Sequence, residues 1–280
     1  MINADSMQVY KRLRILTARP TPAEEARAPH RLYGWLEPDD PCSAGRWSEA
    51  ARREIAAARA DGKLPILTGG TGFYLEALAQ GLPPAPEVPP NVREAARAEV
   101  AADPDAAHRR LAAFDPATAE RFPPRDLQRL SRALEVWAAT GERPSVVLAP
   151  APPPDIPPLR VVLTAPPRAL LYARIDARAA AMAAAGAAAE AAAFQALGVD
   201  PRMPAAKAIG VREFAEAHVN ETLLPNAISV VAQASRRYAK RQITWFRHRV
   251  KPDIAIEMEL NSNFIDELVS ELPDYLLTKH

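Results

Sequence analysis

The stretch LPILTGGTGFYLEALAQG, residues 64–81, decides the class of fold. Its first part predicts a short apolar strand over residues 64–68, which a tight glycine loop follows at residues 69–72. A helical pattern then covers residues 73–79. A helix also precedes the strand, with Ser48 as its predicted N-cap and its end at residues 61–62. Helix, strand, glycine loop and helix in this order indicate an α/β fold built on a parallel sheet.

Two proline-rich stretches, residues 83–90 and 149–158, divide the chain. Between them the pattern is helical, with helix starts predicted at Asn91, Asp103 and Asp115. We therefore predict a first part of the α/β core at residues 1–85 and a helical insertion at 86–154. The second part of the core, at residues 155–250, ends in a basic helix, and an acidic tail occupies residues 251–280.

Composition limits the classes of function. The formal net charge is +1, so the protein is not coated in positive charge, although a local basic strip for nucleic acid remains possible. Cys42 is the single cysteine, which excludes an internal disulfide and a cysteine-based zinc site. The five histidines lack metal-ligand spacing, and we predict no metal site from them. The alanine-rich residues 179–199 are too weakly apolar for a membrane helix, so we expect a cytoplasmic protein.

Asp5 is the first candidate for chemistry, because it directly follows an apparent strand end at the N-terminus. In an open parallel sheet, ligands bind beyond the carboxyl ends of the strands. An aspartate in that place can act as a general base, and Ser6 and Gln8 can hydrogen-bond a polar substrate edge. The alternative is that Asp5 caps the next helix.

Two helices carry basic faces. In the helix predicted over residues 125–140, Leu127, Leu130, Leu134 and Trp137 share one face, and Arg125, Gln128, Arg129 and Arg132 share the other. Long donors without an intervening acid suit a phosphate backbone, and a solvated basic face is the alternative. The helix at about residues 229–251 carries seven Lys or Arg and no acid. Two such faces in a near-neutral chain favour binding to nucleic acid.

The chain resembles the tRNA dimethylallyltransferase family. The resemblance runs from residue 1 to about residue 249, and several motifs carry it in the family's order and spacing: NADSMQVY at 3–10, TARP at 17–20, PH at 29–30, LTGGTGFY at 67–74, QRLSRALEV at 128–136, YAKRQ at 238–242 and TWFR at 244–247. It implies a P-loop kinase-like α/β core with a helical insertion that grips the anticodon arm. It also implies transfer of a dimethylallyl group from dimethylallyl diphosphate to N⁶ of the adenosine 3′ to the tRNA anticodon.

The resemblance assigns roles to individual residues. Asp5 would be the general base, and Ser6, Met7 and Gln8 would line the pocket of the flipped adenine. Thr71 would contact the same nucleotide, with Arg93 nearby. Residues of the insertion would hold the anticodon loop, namely Gln128, Arg129, Leu130, Ser131 and Arg132. Arg174 and Arg178 resemble positions that face the diphosphate. A monomer without membrane contact is expected.

One departure from the family pattern concerns the phosphate-binding loop. The family opens with a strand, a Gly-x-x-x-x-Gly-Lys-Ser/Thr loop and a helix ahead of the position of Asp5, and this sequence contains no such loop. The expectation is a truncated gene or a misassigned start, and turnover by this chain far below that of a full-length relative. Mg²⁺ is expected for the family, although its ligand in the phosphate-binding loop is absent.

Two other functions stay open at the level of sequence. One is a small-molecule kinase of the P-loop fold, against which the basic face of the insertion argues, because a small substrate needs no such platform. The other is a catalytically inactive tRNA-binding remnant. A Gly-Lys-Ser/Thr loop found by extending the reading frame upstream would favour the enzyme, and a stop codon there would favour the remnant.

Overall fold

A computed structural model describes residues 1–83, 86–149, 154, 156 and 159–258. Most of the predicted acidic tail and of the second proline-rich stretch lies outside these residues. The chain divides into two compact units. The first contains Met1–Leu75 and Ile156–His280, and the second contains Glu76–Asp155.

The strands of the first unit are short and parallel. Strand β1 (Ile2–Asn3) pairs with β2 (Leu67–Thr68), and β3 (Val162–Thr164) pairs with β4 (Ile254–Ile256). The sequence predicted one parallel sheet, whereas the described residues form two separate two-stranded sheets. Among them, no strand joins β2 to β3, and the side chains of Ile66 and Val162 next to these strands are exposed. The α/β class with parallel strands is therefore correct, and the single sheet is not observed.

The first unit also contains helices in its described residues. They are α1 (Pro22–Glu25), α2 (Ala44–Ala60), α3 (Gly72–Gln80, which extends into the second unit), α9 (Arg168–Ala184), α10 (Ala187–Gln195), α11 (Val211–Val219) and α12 (Leu224–Arg249). Ser43, not Ser48, caps α2, because the Ser43 side chain accepts from the Arg46 amide while Ser48 is buried inside the helix. Trp47 of α2 is fully buried, stacks on Tyr74 and donates its indole N–H to the Asn3 carbonyl at 2.8 Å. This contact ties α2 to β1.

The alanine-rich segment forms two helices and not one. Gly186, with φ of +98°, separates α9 from α10 in a left-handed conformation that suits glycine. No helix in the described part of the chain is long and apolar enough to cross a membrane. In the described residues, α10 packs on α11, and α9 packs on α12.

The second unit is helical. It contains most of α3, then α4 (Pro90–Ala102), α5 (Pro104–Phe114), α6 (Pro116–Ala119), α7 (Leu127–Thr140) and α8 (Pro144–Val147). Asp103 and Asp115 cap α5 and α6 as predicted, whereas α4 begins at Pro90, one residue before the predicted start. Val100, Leu111, Leu130 and Leu134 are buried in its core. Leu127, predicted to share the buried face of α7, is 45% exposed because it lies at the first turn.

Candidate active site

Asp5 is held in place by the backbone around the end of β1. The Asp5 amide donates to Asn3 Oδ1 at 2.9 Å, and Asn3 Nδ2 donates to the carbonyls of Asp5 at 3.0 Å and Leu32 at 3.1 Å. Asn3 is fully buried, so its amide group is fixed by these three bonds. The position of Asp5 is therefore set by a rigid strand end rather than by a mobile loop.

The carboxylate of Asp5 closes a turn and does not cap a helix. Asp5 Oδ1 accepts from the amides of Met7 at 2.7 Å and Gln8 at 3.3 Å. Residues 6–8 form a turn, and the next helix, α1, begins only at Pro22, so the capping alternative is wrong. Burial raises the pKa of Asp5 above its ordinary value, although the two amide donors and the charge of Arg178 oppose that shift. A carboxylate with a raised pKa is a stronger base.

The glycine loop at residues 69–72 packs against the protein itself. A Cβ at Gly70 would lie 1.9 Å from Gln242 Nε2, and a Cβ at Gly72 would lie 2.2 Å from the Trp245 ring. The close approach of the Trp245 ring therefore requires a glycine at position 72, whereas the flexible end of Gln242 would have to shift to admit a Cβ at position 70. Between the two glycines, the Thr71 hydroxyl accepts from the Ser6 amide at 2.9 Å and donates to Ser6 Oγ at 3.2 Å. The loop thus places Thr71 beside the Asp5 turn.

Gly72→Ala is expected to lower the free energy of unfolding by about 1–3 kcal/mol, because the new methyl group overlaps the Trp245 ring. Chemical denaturation measures the change. Gly62→Ala is the comparison: Gly62 has open space around it, so any loss there comes from its φ of +67° and not from overlap, whereas Gly72 has no such φ. A Gly72→Ala protein as stable as the wild type would contradict the packing described here.

A cavity of about 690 Å³ opens beside Asp5. The structure brings six predicted site residues together on its lining, namely Asp5, Ser6, Met7, Gln8, Arg174 and Arg178. The two arginines lie one turn apart on α9. Lys207 and Arg241 line the same cavity. The arrangement combines one partly buried carboxylate with four cationic side chains, so it can hold an anionic group next to a base.

Sequence reasoning missed several polar side chains of this cavity, and among them are Tyr238 and Gln242 on α12. Gln242 Nε2 donates to the Gly70 carbonyl at 2.8 Å. Burial raises the pKa of the Tyr238 hydroxyl, and the nearby Asp5 carboxylate adds to that rise. Both residues belong to the YAKRQ motif at 238–242, so the signal was present in the sequence, but it could not show that α12 reaches the glycine loop.

The predicted tRNA-binding residues of the second unit differ in exposure. Gln128 and Arg129 on α7 are exposed, Arg132 is half-buried, and Arg93 on α4 is exposed with its guanidinium 3.4 Å from the Val88 carbonyl. Ser131 is 9% exposed. Leu130 is fully buried in the helical core, so its predicted contact with tRNA is wrong for the side chain, which stabilises α7 instead.

The basic face of α7 has acidic neighbours. Arg125 lies 3.4 Å from Asp105, Arg129 lies 3.4 Å from Asp126, and Arg132 lies 3.4 Å from the buried Glu135. The predicted face without an intervening acid is wrong, because Asp126 stands between Arg125 and Gln128 in the sequence itself. Folding adds Asp105 from α5, and Glu135 lies one turn beyond Arg132. Exposed pairs of this kind contribute little to stability and exchange readily for other anions. Arg125 and Arg129 therefore keep the capacity to bind phosphate.

Comparisons with known proteins establish the family of this chain. A family model described as IPP transferase matches residues 8–249. The tRNA dimethylallyltransferase of Phenylobacterium zucineum is 51% identical over 248 residues, which cover 88% of this chain and 80% of that protein. The tRNA dimethylallyltransferase of Paramagnetospirillum magneticum is 45% identical over 281 residues, covering 99% of this chain and 89% of that protein.

Solved structures show the same relationship. The tRNA isopentenylpyrophosphate transferase of Bacillus halodurans superposes with a TM-score of 0.66 at 29% identity, covering 99% of this chain and 86% of that chain. A eukaryotic dimethylallyltransferase acting on tRNA superposes with a TM-score of 0.79 at 24% identity, covering 100% and 73%, which shows likeness of fold alone. The resemblance found in the sequence motifs is confirmed. The chain belongs to the IPP transferase family of tRNA dimethylallyltransferases.

Proposed function

We propose that this protein transfers the dimethylallyl group of dimethylallyl diphosphate to N⁶ of the adenosine 3′ to the anticodon in tRNA. One structural observation supports the proposal in addition to family membership. A partly buried carboxylate, Asp5, lies in the same cavity as Arg174 and Arg178, so a base and an anion-binding wall face one space. Amine alkylation by a diphosphate ester requires both features.

The proposed chemistry is a substitution at C1 of the dimethylallyl group. The adenine amine forms the new C–N bond, the C–O bond to diphosphate breaks, and diphosphate leaves with the bonding electrons. Asp5 accepts the proton that the amine loses. The Asp5 pKa is raised by burial, which favours this proton transfer.

The cationic side chains of the cavity stabilise the leaving group in this proposal. Arg174 and Arg178 on α9 are assigned to the diphosphate, as the resemblance implies. Lys207 and Arg241 line the same cavity and are assigned to the same anion. Cationic donors fixed in advance lower the energy of charge that develops on a leaving diphosphate.

We assign the adenine to a different group of side chains from the one that binds the diphosphate. Ser6, Met7 and Gln8 line the cavity next to Asp5, and Thr71 holds the Ser6 backbone. An adenine inside a stacked anticodon arm cannot reach Asp5, so the base is flipped out of the stack. Tyr238 is assigned to this side of the cavity as well, because the Asp5 charge acts on it.

We assign the anticodon arm to the helical segment at residues 86–154, with the remaining residues of the chain as the catalytic core. Gln128, Arg129 and Arg132 on α7 and Arg93 on α4 are the proposed contacts. A monomer is sufficient for this arrangement, because the cavity and its base come from one chain.

Mg²⁺ is expected for the family, and the residues of this chain do not form a set of ligands for it. In the described part of the chain, no group of three or more His, Cys, Asp or Glu side chains could hold a metal ion. Asp5 is the one acid among the described residues that line the cavity, and its Oδ1 already accepts two amides. No step is therefore assigned to the ion.

A single-turnover assay with excess protein tests the proposed function. An anticodon stem–loop with adenosine at the acceptor position is expected to gain one dimethylallyl group, detected by mass spectrometry after nuclease digestion. A stem–loop with purine riboside there, which lacks the exocyclic amine, is expected to gain none. Transfer to both stem–loops would contradict N⁶ as the acceptor. Salt-sensitive binding without any transfer would favour the tRNA-binding remnant.

The kinase alternative predicts a different result. A small-molecule kinase would move a phosphoryl group from ATP and would not distinguish the two stem–loops. The identity to tRNA dimethylallyltransferases over nearly the whole chain disfavours that alternative.

A further inference from the structure

Glu190 of α10 lies far from Asp5 in sequence but is bonded to the loop that borders the cavity. Its carboxylate accepts from two consecutive backbone amides, Ile15 at 2.9 Å and Leu16 at 2.8 Å. Both bonds span about 175 residues of chain and are partly buried. A carboxylate that accepts two amides forms charge-assisted bonds, which are stronger than neutral ones. Glu190 therefore fixes the position of the segment at residues 13–19.

The segment at residues 13–19 is a tight turn, and its own backbone hydrogen bonds stabilise only part of its conformation. The Arg19 amide donates to the Arg14 carbonyl at 2.9 Å, and the Ala18 amide donates to the Ile15 carbonyl at 3.0 Å. Ala18 has a φ of +52°, a left-handed conformation that is unfavourable for alanine. Such a conformation persists where surrounding contacts enforce it. The Glu190 carboxylate supplies two of these contacts.

The same turn fixes Gln8 in the cavity. Gln8 Nε2 donates to the carbonyls of Thr17 at 2.9 Å and Ala18 at 3.2 Å. Both hydrogens of the amide nitrogen are thus directed at the turn, which defines the orientation of the side-chain amide. The other polar atom, Oε1, can only accept. Leu16, Thr17, Ala18 and Gln8 line the cavity together with Asp5.

The orientation of Gln8 matters for recognition of the base. The exocyclic amine of adenine has two hydrogens, and Asp5 can take only one of them. An acceptor such as Gln8 Oε1 suits the second. A base without the amine would leave this acceptor unpaired, and a buried unpaired acceptor is costly.

We propose that Glu190 is a positioning residue for adenine recognition, which acts by clamping the turn at residues 13–19 and thereby fixing the Gln8 side-chain amide. The inference rests on the proposed function, because it takes adenine as the base. Glu190 does not itself line the cavity with Asp5. It lines a second cavity with Lys11, Arg12, Arg14, Arg19 and Glu37, on the other side of the same turn.

Glu190→Gln tests the clamp with little change of volume. The Gln side chain keeps one acceptor oxygen and presents an NH₂ group to the second amide, so the turn is expected to loosen and the fold to remain. Binding of the two stem–loops, with adenosine or purine riboside at the acceptor position, is measured for wild type, Glu190→Gln, Gln8→Ala and the double variant. Glu49→Gln, a change of an exposed glutamate on α2, is the matched control.

The wild type is expected to prefer adenosine over purine riboside, and Glu190→Gln is expected to reduce that preference about tenfold. Affinity for the purine stem–loop stays unchanged or rises, because Gln8 Oε1 is then no longer held unpaired against that base. Gln8→Ala should have the same effect and the double variant no larger one, because both changes remove one interaction. Full preference in Glu190→Gln, or additive losses in the double variant, would overturn the proposal. A general structural defect would weaken both stem–loops equally.

A measurement without RNA separates this inference from the proposed function. In NMR spectra of the free protein, the Gln8 side-chain amide and the Ile15 and Leu16 backbone amides are expected to exchange faster with solvent in Glu190→Gln than in Glu49→Gln. Unchanged exchange would overturn the clamp even if tRNA binds. Faster exchange in a protein that binds no stem–loop would support the clamp and contradict the proposed function.

Discussion

Asp5→Asn is expected to lower the single-turnover rate of dimethylallyl transfer by a factor of about 10²–10⁴, the usual contribution of a general base. The physical reason is that asparagine keeps the shape of the side chain and the acceptor for the Met7 and Gln8 amides but cannot take a proton. The affinity for the anticodon stem–loop should stay within about threefold of the wild type, within the context-dependent scatter of one hydrogen bond. The rate is measured with saturating substrates, so that it reports the chemical step.

The pH dependence of the wild-type rate is a second test of Asp5 as the general base. Asp5 must be ionised to accept a proton, so the rate should fall as pH decreases through its pKa. Burial raises that pKa, and the fall should therefore begin at a higher pH than an exposed aspartate would give. The residual rate of Asp5→Asn should not show this fall at low pH. If the rate of Asp5→Asn falls at low pH as the wild-type rate does, Asp5 is not the base.

The stability of Asp5→Asn serves as the control for folding. Because the pKa of Asp5 is higher in the folded than in the unfolded protein, the folded state binds the proton more tightly, and wild-type stability decreases as pH rises through that window. Asparagine does not titrate. Asp5→Asn should therefore be at least as stable as the wild type at neutral pH, and its advantage should shrink below the pKa of an unfolded aspartate. A variant that unfolds would invalidate the kinetic comparison.

The sequence predicted the local parts of this site and missed its long-range contacts. Asp5 to Gln8 follow a strand end, and their grouping is visible because they are neighbours in the chain. The Asx-type turn that Asp5 closes was less visible, because the same residue type also caps helices. The family resemblance, and not the spacing, gave the assignment of Arg174 and Arg178, which lie on a helix about 170 residues from Asp5.

Contacts that require packing of distant elements were not predictable. The sequence predicted a tight glycine loop at Gly70 and Gly72 but not that Gln242 and Trp245 occupy the space beside it. Glu190 had no role assigned from the sequence, and its carboxylate accepts from the amides of Ile15 and Leu16. In both cases the partner lies more than 170 residues away, so no periodicity or local motif connects the two.

The arginines of α7 show a second limit of sequence patterns. A helical wheel places Arg129 and Arg132 together correctly, because that grouping depends only on the helical repeat. Arg125 precedes the N-cap Asp126 and lies outside α7, which begins two residues later than predicted. The wheel does not show Asp105, which α5 supplies, or that Glu135 is buried beneath Arg132. The interpretation as a tRNA-binding face therefore depends on whether phosphate can replace these carboxylates, which is a question of energy and not of pattern.

The Arg129→Ala/Arg132→Ala variant decides that question. We expect weaker binding of the anticodon stem–loop and a salt dependence reduced by about 1 in log–log slope for each phosphate group that the variant no longer binds. Titrations at several salt concentrations measure both quantities. Arg109→Ala/Arg121→Ala is the charge-matched control, because both of its arginines are exposed in the same unit and neither belongs to α7. It should leave the slope nearly unchanged.

The buried Glu135 makes the result of this double change interpretable. Removing Arg132 takes away one partner of Glu135, but Arg97 remains 3.2 Å from its carboxylate, so the buried charge stays paired and the helical core should fold. A drop in affinity with an unchanged salt slope would then indicate a distorted α7 and not the removal of arginines that bind phosphate. Equal drops in affinity in the control variant would mean that the unit attracts RNA by net charge alone. Arg129 and Arg132 are assigned to the anticodon loop if two results occur together. The salt slope must be reduced in the α7 variant, and it must be unchanged in the control variant.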